Sequence, residues 1–263
     1  MAINNIELGY GGNATIDGHY VLVTSGGLSK ALNMPFVTPY DTPVGEENRT
    51  KVKMGDGVYS YSGNLSFDMS LDAVENLISN SFLVRNNEFD VLIGDGHKGY
   101  SISKCKFDSV SFSASVGALF TGTVSFQSTD DFTKNMGGPA KKYMFDDELS
   151  NQLVKYWHTG AVGVESFTVS ISQSITPVYL NVDDQDPQYL RAGLWDLTFE
   201  ISAWDDWYEH QTLKLGKRRI NILTGESTAW NYNYGGQNET GSHSHTYTAY
   251  AINNSDREFF TIT

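Results

Sequence analysis

Cysteine is almost absent from this chain, with one among 263 residues, Cys105. A single thiol excludes an internal disulfide framework and any cysteine-based zinc cluster. It lies in Ser101-Ile-Ser-Lys-Cys-Lys-Phe107, a strand-like stretch without an activating motif, where an ordinary buried side chain is expected. Cations are scarce too: 18 Lys and Arg against 31 Asp and Glu leave a net charge of −13. That balance disfavours a protein that grips DNA or an anionic membrane, but not one that lets nucleic acid pass without sticking. No run approaches the roughly 20 apolar residues of a membrane helix. The opening MAINNIELGYGGNATIDG lacks the basic-then-apolar pattern of a secretion leader, so a soluble protein made in a cytoplasm, with no membrane partner, is expected.

Enzyme motifs are also missing. There is no phosphate-cradling glycine loop, no G-x-S-x-G elbow and no H-E-x-x-H. The acidic pairs Asp130-Asp131, Asp146-Asp147, Asp183-Asp184 and Asp205-Asp206 lack the spacing of a calcium loop and read as solvated turns. His243 and His245 alternate, but no third ligand stands at an obvious spacing. The expectation is no catalytic residue, no cofactor and no metal.

What the chain does have is aromatic weight, 13% of residues, enough for a real core, and alternation with period two. Ser60, Ser62, Asn64, Ser66 and Asp68 alternate with Tyr59, Tyr61, Leu65 and Phe67. Ser109, Ser111 and Ser113 alternate with Val110 and Phe112; after a bend at Gly117, Thr121, Thr123 and Ser125 alternate with Phe120, Val124 and Phe126. Ser166, Thr168 and Ser170 do so with Phe167, Val169 and Ile171, and Asp196, Thr198 and Glu200 with Trp195, Leu197 and Phe199. Each is a strand with one buried and one wet face. Shorter strands are expected at 17–24, 88–93, 99–105 and 218–223, and an aromatic hairpin at 228–234 and 244–252. One helix is expected at 71–79, where Ser70 caps and Leu71, Val74, Leu77 and Ile78 share a face. A second, short helix is expected from Asp146 to Leu153.

None of the wet positions just named is Lys or Arg. Exposed sheet faces ordinarily use Lys freely, partly to discourage edge pairing. Two readings stand: simple Ser-rich composition, or the wall of a water-filled channel along which a polyanion slides, where cations would pair with phosphates and retard it. Gly57–Ser66 also lines up with Gly163–Ser172, and Gly137-Gly-Pro-Ala-Lys-Lys142 near the midpoint is a linker candidate. Ser-rich strands match by composition alone, so a repeat stays open on these residues.

Several segments resemble the tail-tube proteins of tailed bacteriophages: Tyr59–Ser70 followed by Phe89–Gly96, Cys105–Ser113 with Thr121–Phe126, Val164–Gln173 with Thr176–Tyr179, and Leu190–Trp195. The resemblance implies a mainly β fold, a tube-like β-sandwich or barrel with a short flanking helix, here as two tandem domains over 1–136 and 137–263. It implies that neighbouring copies share one inner barrel, three chains forming a pseudo-sixfold ring or, with one elaborated fold, six. The polar positions above would face the lumen and DNA would pass without stable binding. Stacked rings, sheath, tape-measure and baseplate proteins would be the other partners, in a virion tail assembled in the host cytoplasm. Glu46, Glu47, Arg49, Lys51 and Lys53, in a loop of mixed charge, are expected to order against the next ring, or else to have no assembly role. Alternatives are a tube-like baseplate hub or initiator, or a carbohydrate-binding β-sandwich of a receptor-binding tail protein using Trp230, Tyr232 and Tyr247.

Overall fold

The computed structural model describes residues 12–34, 36–37, 52–53, 56–69, 88–94, 98–115, 120–135, 164–181, 183–204, 212–215, 218–222, 226–233, 242–249 and 260–262. Among them every regular element is a β-strand, and all pairings are antiparallel. The mainly β class is as expected. The helix carrying Leu71, Val74, Leu77 and Ile78 falls outside the described residues, as do the second helix, the 137–142 linker and Glu46, Glu47, Arg49 and Lys51.

Strand β1 (Gly12–Ile16) enters β2 (His19–Asn33) through Asp17-Gly18. Ile16 pairs with His19 and both turn residues have positive φ, 50° and 80°. That is the mirror-image turn that matches strand twist, and Asp-Gly adopts it at little cost. Two short strands, β3 (Phe36–Val37) and β4 (Val52–Lys53), pair with each other, so Lys53 has a place in the backbone. Then come β5 (Val58–Met69), β6 (Phe89–Gly94), β7 (Gly99–Ser115), β8 (Phe120–Ser128) and β9 (Thr133–Asn135).

Six of these close on themselves in the order β7-β6-β1-β2-β5-β8 and back to β7. The inward side chains fill the barrel: Val21, Val23, Leu65, Phe67, Val91, Ile93, Phe107, Phe112, Val124 and Phe126 are at most 3% exposed. Phe89 meets Phe126 edge-on at 6.0 Å, a favourable arrangement of ring quadrupoles.

The stretches 99–105 and 107–115 were expected as separate strands; they form one, β7, with two bulges. Lys104 (φ 53°) and Asp108 are the extra residues opposite β6 and β8. Each bulge flips the side-chain parity, so the buried positions run Ile102, then Cys105 and Phe107, then Val110 and Phe112.

Past Asp108, β7 leaves β6 and pairs with β10 (Val164–Val178). The sheet continues through β11 (Tyr189–Trp204), β15 (Ser242–Ala249) and β14 (Glu226–Asn233). A separate three-stranded sheet holds β12 (Thr212–Leu215), β13 (Arg218–Ile222) and β16 (Phe260–Ile262).

The large sheet repeats one four-strand pattern. Call the strands A to D in chain order: β2, β5, β7, β8 and then β10, β11, β14, β15. Both sets lie in the sheet as A-B-D-C. Both also carry single-residue bulges at matching places. Thr24 bulges A against B in the first set and Glu165 in the second. Asp108 bulges C against D in the first and Thr228 in the second. Cross-strand register then makes Ser25, Ser66, Ser111 and Thr123 equivalent to Ser166, Ser202, Asn231 and Ser244. The sequence match of 57–66 with 163–172 sets a B strand against an A strand, so it is not the register of this pattern.

Candidate functional site: a charge-poor sheet face

Every one of the seventeen polar positions singled out in the sequence lies on these strands. Sixteen of them fall in cross-strand rows running over consecutive strands. One row is Ser25, Ser66, Thr123, Ser111, Ser170, Thr198, Thr248, Glu226. The next, on one side, is Gly27, Asn64, Ser125, Ser109, Ser172, Asp196. On the other side runs Leu22, Asp68, Thr121, Ser113, Thr168, Glu200, Thr246, Ala229. A fourth joins Ser115, Ser166, Ser202, Ser244 and Asn231. Ser62, opposite Ser29 and Gln127, extends the face downward, and Ser60 lies two residues farther along β5, half-exposed.

The local reason is the pleat: with Val110, Phe112, Val124, Val169 and Ile171 buried on one side, the intervening hydroxyls must stand on the other. There they bond one another across strands, Ser109 to Ser125 at 2.7 Å, Ser113 to Thr121 at 2.8 Å and Ser111 to Ser170 at 3.2 Å. The four rows contain no Lys or Arg; their charged members are Asp68, Asp196, Glu200 and Glu226. The nearest cation, Lys106 in the row of Gln127, turns its ammonium to the Leu190 carbonyl at 3.1 Å.

The face is dished. Two inward glycines, Gly26 and Gly63, let the sheet sink toward the core: a Cβ on Gly63 would lie 2.4 Å from Phe126 Cζ, and one on Gly26 2.7 Å from the Asn64 carbonyl oxygen. The hollow left on the polar side is about 660 Å³, lined by Ser25, Gly27, Ser29, Ser62, Asn64, Ser125 and Asp108. Partial burial pushes the carboxyls of Asp68 and Asp108 above the usual carboxylate range.

Asp108 also holds the fork where β7 parts from β10. Gln127 Nε2 donates to both its oxygens, at 3.1 and 3.2 Å, and to the Ile175 carbonyl at 3.3 Å. On the core side, buried Gln173 donates to the Phe107 carbonyl at 2.8 Å, beside the bulge at Asp108. The segment after β10 then covers the open end of the first four-strand set. Tyr61 donates to Asp186 at 2.6 Å, Tyr179 to the Tyr59 carbonyl at 2.6 Å, and Lys30 pairs with Asp131 above the rings of Tyr59 and Tyr61. Cys105 is buried, and desolvation pushes its thiol well up, which leaves it unreactive.

The sequence reading missed three of the eight strands of the face: β2, with Ser25, Gly27 and Ser29, and the β14–β15 pair. The signal in β15 was legible, since Ser242, Ser244, Thr246 and Thr248 alternate with His243, His245 and Tyr247; the aromatics drew attention from it. Trp230 and Tyr232 stand opposite His245 and His243, and Ser227 opposite Tyr247, positions that alternate with the polar rows. Among the described residues, no three His, Cys, Asp or Glu side chains are grouped to hold a metal.

The sequence matches no family model and no curated protein.

Proposed function

We propose that the chain is a structural subunit of a ring-shaped conduit, the tail tube of a bacteriophage, and that its Ser/Thr/Asn face lines the bore through which DNA is ejected. The observation that carries this reading is the face itself: eight strands bearing mostly small polar residues, with a few carboxylates and no cation in four rows. A polyanion meets nothing there to pair with, and the carboxylates repel it, so passage costs little. The pleat alone puts these hydroxyls on one side of the sheet; what it does not require is the absence of Lys and Arg from all four rows.

The repeated A-B-D-C pattern supports two tandem tube-like domains, the boundary falling between β9 and β10, and so three copies in a pseudo-sixfold ring. With eight strands per copy, three copies make a wall of 24. At about 4.8 Å between strands and a tilt near 40°, 24 strands close at a backbone diameter of roughly 45–50 Å, wide enough for hydrated duplex DNA. The reading makes the protein a virion component and not an enzyme. A tube-like hub or initiator uses the same face and differs in what it caps.

Negative-stain microscopy of the concentrated protein, with native mass spectrometry, tests this. Rings or tubes whose mass is a multiple of three chains are expected. A protein that stays monomeric at every concentration, or an assembly that turns Ser66, Ser111, Ser170 and Thr198 away from a central bore, refutes it.

A further inference from the structure

The eight-stranded wall has two long free edges among the described residues. Strand β14 is paired only with β15, and β2 beyond Val23 is paired only with β5. Soluble proteins usually guard such edges with Pro, an outward Lys or a covering loop, because an open row of N–H and C=O groups recruits another strand. Neither edge holds a proline. The one cation of β2 beyond Val23, Lys30, is held over Tyr59 and Tyr61 and does not guard it.

The chain itself contains the join these edges need. Within one molecule, C of the first four-strand set (β7) meets A of the second (β10), antiparallel, with Ser113 opposite Thr168, Ser111 opposite Ser170 and Ser109 opposite Ser172. The free edges belong to the equivalent strands, C of the second set (β14) and A of the first (β2). The matched bulges fix the equivalence to the residue: Ser111 corresponds to Asn231, and Ser170 to Ser29.

We infer that β14 of one copy pairs antiparallel with β2 of the next in the register of the internal β7–β10 join, setting Asn233 opposite Gly27, Asn231 opposite Ser29 and Ala229 opposite Ala31. The inference rests on the ring reading and adds to it which edges meet and at which residues. Because the two edges are different strands, the contact is head to tail and propagates around a ring; it closes when the rotation per copy divides the circle. The seam joins two polar faces into one, since Asn231 and Ser29 both belong to polar rows. It also removes both free edges at once.

Paired cysteines test it on the full-length protein. Ser111 and Ser170 have their hydroxyl oxygens 3.2 Å apart, so S111C/S170C is expected to close an intrachain disulfide, a positive control for the geometry. S29C/N231C, oxidised after assembly, is expected to lose its monomer band and run as a covalent ring. An equal mixture of the S29C and N231C single variants is expected to stop at dimers, which also covers a double variant that folds poorly. S29C with Ala229→Cys, two residues out of register, is expected to stay monomeric. Rings that form by microscopy while S29C/N231C and the mixture fail to cross-link overturn the seam and leave the ring reading standing. So does N231C cross-linking to itself, which indicates a two-fold β14–β14 contact. Absence of rings at any concentration overturns both.

Discussion

Gly63 is where the fold, the dish and the face meet, and Gly63→Ala is the sharpest test of that packing. The added Cβ would lie 2.4 Å from Phe126 Cζ, 2.8 Å from Phe126 Cε2 and 2.8 Å from Leu28 Cδ2. Comfortable carbon contacts are about 3.5–4.0 Å, so the overlap with Phe126 exceeds about 1 Å. A ring tip can usually swing aside. This one cannot do so easily, because Phe126 is fully buried and its ring is backed by Phe89. Overpacking of a tight core costs about 1–3 kcal/mol, and the pinned ring argues for the upper end. Against that, Ala in a strand gains about 0.5–1 kcal/mol over Gly from reduced backbone freedom. The net expectation is a loss of about 2 kcal/mol.

Urea unfolding followed by tryptophan fluorescence measures it, at one fixed protein concentration because any assembly adds stability. The cause is separable from general damage by a second substitution. In a Phe126→Leu background the ring tip is gone, and Gly63→Ala is expected to cost under about 0.5 kcal/mol, a coupling of about 1.5 kcal/mol between the sites. Should Gly63→Ala match or exceed the parent in stability, or cost the same in both backgrounds, the account of the dish as a glycine-made depression is wrong.

Three further outcomes follow from the same surfaces. Asp68 and Asp108 hold their protons more tightly folded than unfolded, so their contribution favours folding at low pH and is lost as pH rises through the raised values; Asp68→Asn and Asp108→Asn should therefore gain on the parent between pH 3 and pH 7 in parallel melts, and a gain toward acid would refute the burial argument. Lys30→Met removes a cation lying 4.4 Å from the Tyr59 ring centre and 5.2 Å from that of Tyr61, and is expected to cost about 1 kcal/mol in urea unfolding, most of it from the ring contacts and little from the exposed Asp131 pair. Thr123→Lys, on the exposed face, should leave unfolding within about 0.5 kcal/mol of the parent, while assembled tubes bearing it retain DNA on a filter at low salt and release it at high salt; parent tubes should retain none at either.

How far the sequence disclosed this arrangement depends on which interaction decides each part. The period of two in 59–68, 109–113 and 121–126 is a local consequence of one wet and one dry side, and it survives unaltered in the structure. Strand β2 hides the same pattern: its inward positions include Gly26, where no Cβ fits, and Lys30, which reaches over two rings at the barrel end, so hydrophobic alternation is erased. The bulges at Lys104 and Asp108 each add one residue without any change in composition. They made one strand look like two, because parity flips at each. Partner choice lies beyond any local pattern, since closure of β7 on β8 and its departure to β10 depend on groups such as Asp108, Gln127 and Gln173 that are far apart in the chain.

The residues at the matched bulges make the same point about duplication. Thr24 corresponds to Glu165 and Asp108 to Thr228, pairs with no shared chemistry, and Asn231 answers Ser111. A comparison of side chains finds little across the two sets, and the short Ser-rich match it does find is out of register. Hydrogen-bond register shows the correspondence more plainly: one extra residue at the same step of A and of C in each set. A bulge bends its strand and sharpens its twist, so the matched bulges bend corresponding strands of the two sets alike, while the further irregularity between Gln173 and Ile175 belongs to the second set alone. The internal join of β7 to β10 is then the template for the contact proposed between the outer edges, β14 and β2, a join that would carry the cation-free rows from one copy to the next.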